Sequence, residues 1–181
     1  MLYTVECSYR DAQTEQEWND FYSIEKLAAL ISVTGFITSQ RFKALTPACP
    51  VYLAVHTIKN QDVIISDEYK QKGGGNFARW QANITDWHRN LYETQGIAPA
   101  VSADQVLLLS AQPLQFDGTT AQPQPIQMQA IGLDQSPSYR VAYVLPRLLA
   151  EQLAQVADVD LYAPMTVQLQ NPSYFQLSHE V

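Results

Sequence analysis

The run from Phe36 to Ile58 decides the fold. It reads FITSQRFKAL (36–45), TPACP (46–50) and VYLAVHTI (51–58). Two stretches rich in β-branched and aromatic residues flank a short break with two prolines, the pattern of a β-hairpin. Alternation assigns faces within each strand. In the first, Thr38, Gln40, Phe42 and Ala44 oppose Ile37, Ser39, Arg41 and Lys43. In the second, Val51, Leu53 and Val55 oppose Tyr52, Ala54, His56 and Ile58.

Upstream, Leu2–Tyr9 alternates Tyr3, Val5, Cys7 and Tyr9 against Thr4, Glu6 and Ser8, a half-buried strand. Thr14-Glu15-Gln16-Glu17 fits a capping box, and a helix is expected from there. Its apolar stripe is Trp18, Phe21, Ile24 or Glu25, Leu27 and Leu30–Ile31, with Gly35 as a left-handed cap. Downstream, Asp62–Gln71 reads as a second helix. Gly73-Gly74-Gly75 breaks it; lacking the Lys-Ser/Thr of a phosphate loop, this run reads as a flexible connection. After a helical turn over Phe77–Gln81, Asn83–Glu93 is a fourth strand, with Thr85, Trp87, Arg89 and Leu91 against Asp86, His88, Asn90 and Tyr92. The order β-α-β-β-α-β is the ferredoxin-like arrangement, an α+β fold.

The second half reads as a reduced copy. Gln105–Ala111 is a strand. Gln112–Pro125, with three prolines and a glycine, is a loop where the first half has its long helix. Ile126–Leu133 and Tyr139–Leu145 form a hairpin around DQSPS, and QMQAIGLDQSPSYRVAYVL (127–145) matches QRFKALTPACPVYLAVHTI (40–58) in length and break position. Pro146 suits the first position of a helix with Leu149, Leu153 and Val156 on one stripe. Val159–Leu169 returns as a strand kinked near Pro164. The expected organisation is a ferredoxin-like half at 1–95, a linker at 96–103 marked by Gly96 and Pro99, and a reduced ferredoxin-like half at 104–181.

Composition narrows the function classes. Of 181 residues 46% are hydrophobic, enough for a sizeable core. The net charge of −7, with no run of Lys or Arg, argues against nucleic acid and against an anionic membrane surface as partners. The N-terminal MLYTVECSYRD lacks the basic and apolar regions of a signal peptide, and no apolar run is long enough to span a bilayer. Cys7 and Cys49 lack metal-type spacing and read as two reduced thiols of a cytoplasmic protein. No nucleophile elbow, dinucleotide fingerprint or P-loop is present.

The first half resembles the EthD-like branch of the dimeric α/β-barrel superfamily. The residues that carry the resemblance are Trp18 with FYSIEKLAALISVTGF (21–36), SQRFKAL (39–45), VYLAVHTI (51–58) and SDEY (66–69). Where the branch often places His after Glu on its first helix, this chain has Lys26 after Glu25, and Ala28 replaces the helix proline. The resemblance implies strand order 4-1-3-2, closure of two sheets into a barrel and a tendency to homodimerise; in a duplicated chain the second half would supply the partner sheet, giving an internal, pseudo-dimeric α/β barrel.

With that order, the sheet face opposite the helices is expected to carry Glu6, His56 and His88, joined by Tyr52, Tyr92 and Arg41 as ligand-binding side chains. A carboxylate between two imidazoles would tune a general base or orient a ligand. The plainer alternatives are an ion pair of Glu6 with Arg41, a polar interface position for His56 and a solvent-facing edge for His88. Two His and one Glu suffice formally for a metal, but no helical HExxH or paired-Cys spacing accompanies them, so neither metal nor cofactor is expected. His179, near the C-terminus, is assigned no role. Trp18, Trp80 and Trp87 read as core rather than as a stacking platform. Two function classes remain: a cofactor-free protein that binds or converts a small aromatic or polyketide-like molecule, and a non-catalytic binding or assembly protein whose barrel is filled by side chains.

Overall fold

The computed structural model describes residues 1–47, 50–116, 123–153 and 158–176. Nine strands lie among them: β1 (Leu2–Tyr9), β2 (Phe36–Ala44), β3 (Tyr52–Ile58), β4 (Ile84–Glu93), β5 (Gln105–Ser110), β6 (Ile126–Leu133), β7 (Tyr139–Pro146), β8 (Val159–Pro164) and β9 (Leu169–Gln170). All the pairings are antiparallel, in the order β3-β1-β4-β6-β7-β5-β8-β2, and β2 pairs back to β3. Eight strands therefore close a barrel, with β9 laid beside β2. The first four run β2-β3-β1-β4 and the second four β6-β7-β5-β8, the same order with each number raised by four. The seams are β4–β6 and β2–β8.

Closure buries the inner face of the strands and the helices cover much of the outer face, so three cores result, while Gln127, Gln129 and Ile131 of β6 stay exposed. Inside the barrel, Leu2, Phe42, Leu53, Tyr92, Leu107, Leu109, Met128 and Tyr162 meet across the seams. Outside the first four strands, Tyr3, Val5, Cys7, Tyr52, Ala54, Ile58 and Leu91 pack under the helices. Outside the second four, Val106, Leu108, Val141, Tyr143 and Leu161 pack under Phe116 and Ala150, the latter on a short helix at Arg147–Leu153. No helix among the described residues is long and apolar enough to cross a membrane.

The first helix departs from its expected form at both the cap and the stripe. It begins at Glu15 as predicted (α1, Glu15–Asp20), but the Thr14 hydroxyl donates to Asp11 Oδ2 (2.7 Å) and lies 2.7 Å from Tyr9 OH, so no capping box forms. The next turn, Phe21–Lys26, is a π-helix, followed by α2 (Leu27–Ile31). The wider turn lengthens the repeat, so Trp18, Tyr22, Lys26 and Leu30 point at the sheet. Ile24 is left 69% exposed, and Glu25 is exposed as well. Gly35 closes the segment at φ +93, where a Cβ would stand 2.5 Å from Val63.

The second helix is split into a 3₁₀ turn at Gln61–Ile65 and α3 (Asp67–Gln71), capped by Ser66, whose side chain accepts from the Tyr69 amide. The triglycine after it is not a slack connection. It wraps the Tyr69 ring so closely that a Cβ on Gly74 would fall 2.3 Å from it. The carbonyl oxygens of Gly73 and Asn76 both receive the Lys26 ammonium. Gly74 serves close approach, while Gly73 and Gly75 take positive φ (+84 and +72) that turns the chain around the ring. In the second half, Pro146 ends β7 and the helix starts at Arg147. The strand after it stops at Pro164, as the kink implied. Part of the 112–125 loop, Cys49 and His179 lie outside the described residues; Cys7 is free and buried.

Candidate functional site

The six side chains expected to share one face are divided between two. Register decides it: Tyr3 pairs with His56, whereas Glu6 pairs with Leu53 and His88. His56 therefore shares the Tyr3 face, under the helices, and Glu6 shares the barrel interior. Arg41 and Tyr52 go with His56, and Tyr92 goes with Glu6. The expected Glu6–His56–His88 cluster does not form. Glu6 pairs instead with Arg140 Nη1 at 2.8 Å, across the two halves of the chain. Tyr92 OH donates to the Pro137 carbonyl at 3.3 Å. His88 is half exposed, with Nδ1 3.9 Å from Asp134. Glu6 is ion-paired, but with Arg140 and not with the expected Arg41, which register places on the other face; His88 faces solvent as its plainer alternative had it.

The helix side gathers a different group. Arg41 is wholly buried. Its Nη1 donates to Asn19 O (3.1 Å) and Ser23 Oγ (2.8 Å), and its Nη2 donates to Asn19 Oδ1 (2.9 Å). Its Nε has no partner. No carboxylate among the described residues lies within ion-pair distance. Burial lowers its pKa, with nearby Tyr22 acting in the opposite direction. Three rings surround the guanidinium, with centroids at 4.1 Å (Tyr22), 5.1 Å (Trp18) and 5.6 Å (Tyr52). Such contacts partly offset the lost hydration of a cation.

Tyr52 OH donates to the Glu15 carboxylate and accepts from Asn19 Nδ2 at 3.0 Å. Burial first, then the bond to Glu15, raises its pKa. Trp18 stacks on Tyr9 at 4.8 Å and meets Tyr52 edge-on at 4.8 Å, and its Nε1 is unpartnered. Lys26 sits 4.7 Å over the Phe77 ring, and burial lowers its pKa to about 8. His56 lies between Tyr3 (5.5 Å, stacked) and Phe36 (5.3 Å, edge-on). Its Nδ1 is 2.8 Å from Ser39 Oγ, and its Nε2 has no partner. Burial, and then the charge of Lys26, lower its pKa to about 3. The ring is thus neutral near pH 7 and far too weak a base for the general-base role the sequence suggested.

Buried polar atoms almost always find partners. Five side-chain atoms among the described residues do not, and three of them, on Trp18, Arg41 and His56, belong to this one layer. The signal lay in the first helix. Glu15, Asn19 and Ser23 form one i, i+4 row and Trp18, Tyr22 and Lys26 the adjacent row. The polar row meets Arg41 and Tyr52. In chemical terms the layer offers two cations, one neutral imidazole and flat aromatic walls. It contains no nucleophile arrangement, and no group of three or more His, Cys, Asp or Glu side chains gathers among the described residues.

Comparison with solved structures agrees with the barrel. A structure described as a "putative monooxygenase from Lactobacillus acidophilus NCFM" superposes with a TM-score of 0.57 over 94% of this chain and 96% of that one, at 9% identity. An "anthrone oxidase-like protein" superposes with a TM-score of 0.58 over 94% and 93%, at 8% identity. At these identities the likeness is one of fold, an eight-strand antiparallel barrel with helices on its outside. Both neighbours carry the whole barrel in one chain, as this protein does. No family model matches the sequence, and no curated protein does. These comparisons support the barrel and do not single out the EthD-like branch.

Proposed function

We propose that this protein binds a small planar aromatic or polyketide-like anion in the layer between its first helix and its sheet, and converts it without a cofactor. The observation that carries this is Arg41: a fully buried guanidinium with a free Nε, three aromatic rings around it and no carboxylate partner. An unpaired buried charge costs several kcal/mol. A phenolate or enolate oxygen would relieve that cost while its ring stacked on Trp18 or Tyr22. Lys26, brought to about 8, is the group here whose proton can move near neutral pH, and neutral His56 supplies a hydrogen bond. The names of the two neighbours, a monooxygenase and an anthrone oxidase-like protein, agree with a ligand of this class. The barrel itself is read as two ferredoxin-like repeats, 1–95 and 104–181, joined by 96–103.

Quenching of tryptophan fluorescence by 1,8-dihydroxyanthraquinone tests this. Micromolar binding is expected, weakened about 30- to 100-fold in Arg41→Met, the range for a lost charge-assisted hydrogen bond. Equal affinity in the variant would refute the assignment. A second reading, a non-catalytic binding or assembly protein, has its own support. The barrel interior is largely filled by side chains, and Trp18, Arg41 and His56 have no exposed surface. It predicts no turnover of any such ligand, with binding retained.

A further inference from the structure

The barrel interior is chemically unlike the helix layer. Toward the end of β1 away from residues 95–102, the Glu6–Arg140 pair neutralises itself. Toward the other end, a cavity of about 30 Å³ remains among Leu2, Phe42, Leu53, Leu109, Met128 and Ala142. That is room for roughly two waters. One side chain on its wall is polar, wholly buried and unsatisfied: Thr4, whose Oγ1 has no partner. The other buried polar residue there, Gln40, is fully engaged. Its amide donates to the carbonyls of Val101 (2.7 Å) and Thr166 (2.8 Å) and accepts from the Val101 N–H (3.0 Å).

A way in is visible beside it. Residues 95–102 cross this end of the barrel as a strap outside any strand. Apart from Gln40, the strap is held by Thr57 Oγ1, which accepts from Ala98 N (3.0 Å), and by Gln168 Nε2, which donates to Ala98 O (3.0 Å). Pro99 and Ile126 line the cavity and also an outer cleft of about 280 Å³ bounded by Gln95, Ile97, Gln124 and Val144. The apolar cavity and the uncharged cleft are thus separated by Pro99 and Ile126, beside a strap fastened by a few side-chain hydrogen bonds. Among the described residues, no charged side chain lines either part.

We infer that the barrel interior is a second binding site, for a neutral and mainly aliphatic small molecule whose single hydroxyl or carbonyl group meets Thr4. A carboxylate or ammonium ligand is disfavoured because nothing on the path would compensate its charge. The chain of the ligand lies along Leu53, Leu109 and Met128, and the strap covers it. This site is separated from Arg41 by the sheet itself.

The test uses the full chain, labelled at Leu, Val and Met methyl groups for NMR, with 1-hexanol as the probe. Saturable shifts are expected at Met128, Leu53 and Leu109, with hexanoate at least 10-fold weaker at pH 7. Thr4→Val keeps the side-chain shape and removes the hydroxyl; it should weaken 1-hexanol about 5-fold. Ala142→Leu fills the cavity and should abolish the shifts; if that variant does not fold, Thr4→Val decides. Arg41→Met should leave the hexanol response unchanged. Hexanoate binding as well as hexanol, an unaltered affinity in Thr4→Val, or unsaturable shifts at exposed positions such as Leu148 would each overturn the assignment.

Discussion

Replacing His56 by Asn should remove a large part of the acid sensitivity of this protein. The folded chain holds the imidazole at about 3, through burial first and the Lys26 charge second, against an ordinary value of 6.5. Between those two values the unfolded chain takes up a proton that the folded chain refuses. Stability therefore falls as pH falls through that window, by about 1.4 kcal/mol per pH unit. From pH 6.5 to pH 4 this amounts to about 3 kcal/mol. Carboxylates titrate in the same range, so the informative quantity is the difference between the wild type and His56→Asn. Urea denaturation followed by tryptophan fluorescence, at pH 4 to 7, measures it. The variant should start less stable at pH 7, because Ser39 loses its partner and the site is repacked, and should then lose stability more slowly on acidification. Parallel curves would mean that His56 takes up its proton at the same pH in the folded and unfolded chain, and the depressed basicity assigned to the buried ring would be wrong.

Three further outcomes follow from the same geometry. Glu6→Gln leaves Arg140 buried beside an uncharged partner and should cost about 3–5 kcal/mol in urea melts, much of it restored in Glu6→Gln/Arg140→Met. Gly74→Ala drives a methyl group into the Tyr69 ring, which is buried and bonded to Tyr3, so a loss of about 1–3 kcal/mol and a lower Tm are expected. Lys26 is held at about 8 in the folded chain against 10.5 when unfolded, so stability should rise with pH between those values, by up to about 3 kcal/mol, and this rise should be missing in Lys26→Met.

The architecture was legible because the runs at 36–58 and 127–145 both read as hairpins of similar length and break position, and they became β2–β3 and β6–β7. The faces were not. In β1 the set Tyr3, Val5, Cys7 is clearly apolar against Thr4 and Glu6. In β3 both sets are apolar, Leu53 and Val55 on one side and Ala54 and Ile58 on the other, because a closed barrel buries both. With no polar face to mark solvent, alternation cannot say which set joins Glu6; only the Tyr3–His56 register does. The first helix misled for a similar reason. A strict 3.6-residue period puts Ile24 or Glu25 inward, and the π turn turns Tyr22 and Lys26 inward instead. Nothing in the residue types of FYSIEK marks that turn. Arg140, the partner of Glu6, lies 134 residues away, beyond any local pattern.

A chain of net charge −7 nevertheless keeps Arg41 and Lys26 in one buried layer, without a carboxylate partner for either among the described residues. The one carboxylate at the margin, Glu15, is committed to Tyr52. Two explanations of Arg41 make opposite predictions about stability. If it is a structural pin, its bonds to Asn19 and Ser23 repay its desolvation, and Arg41→Met should cost several kcal/mol. If the site is built for an anion, the empty protein carries an unrelieved charge, and a hydrophobic side chain of similar length should leave Tm unchanged or raise it. The same variant should then bind 1,8-dihydroxyanthraquinone poorly, and the ligand should raise the Tm of the wild type alone. Stability gained where affinity is lost marks a site held in readiness for a ligand. Stability and affinity lost together would make Arg41 a piece of scaffold.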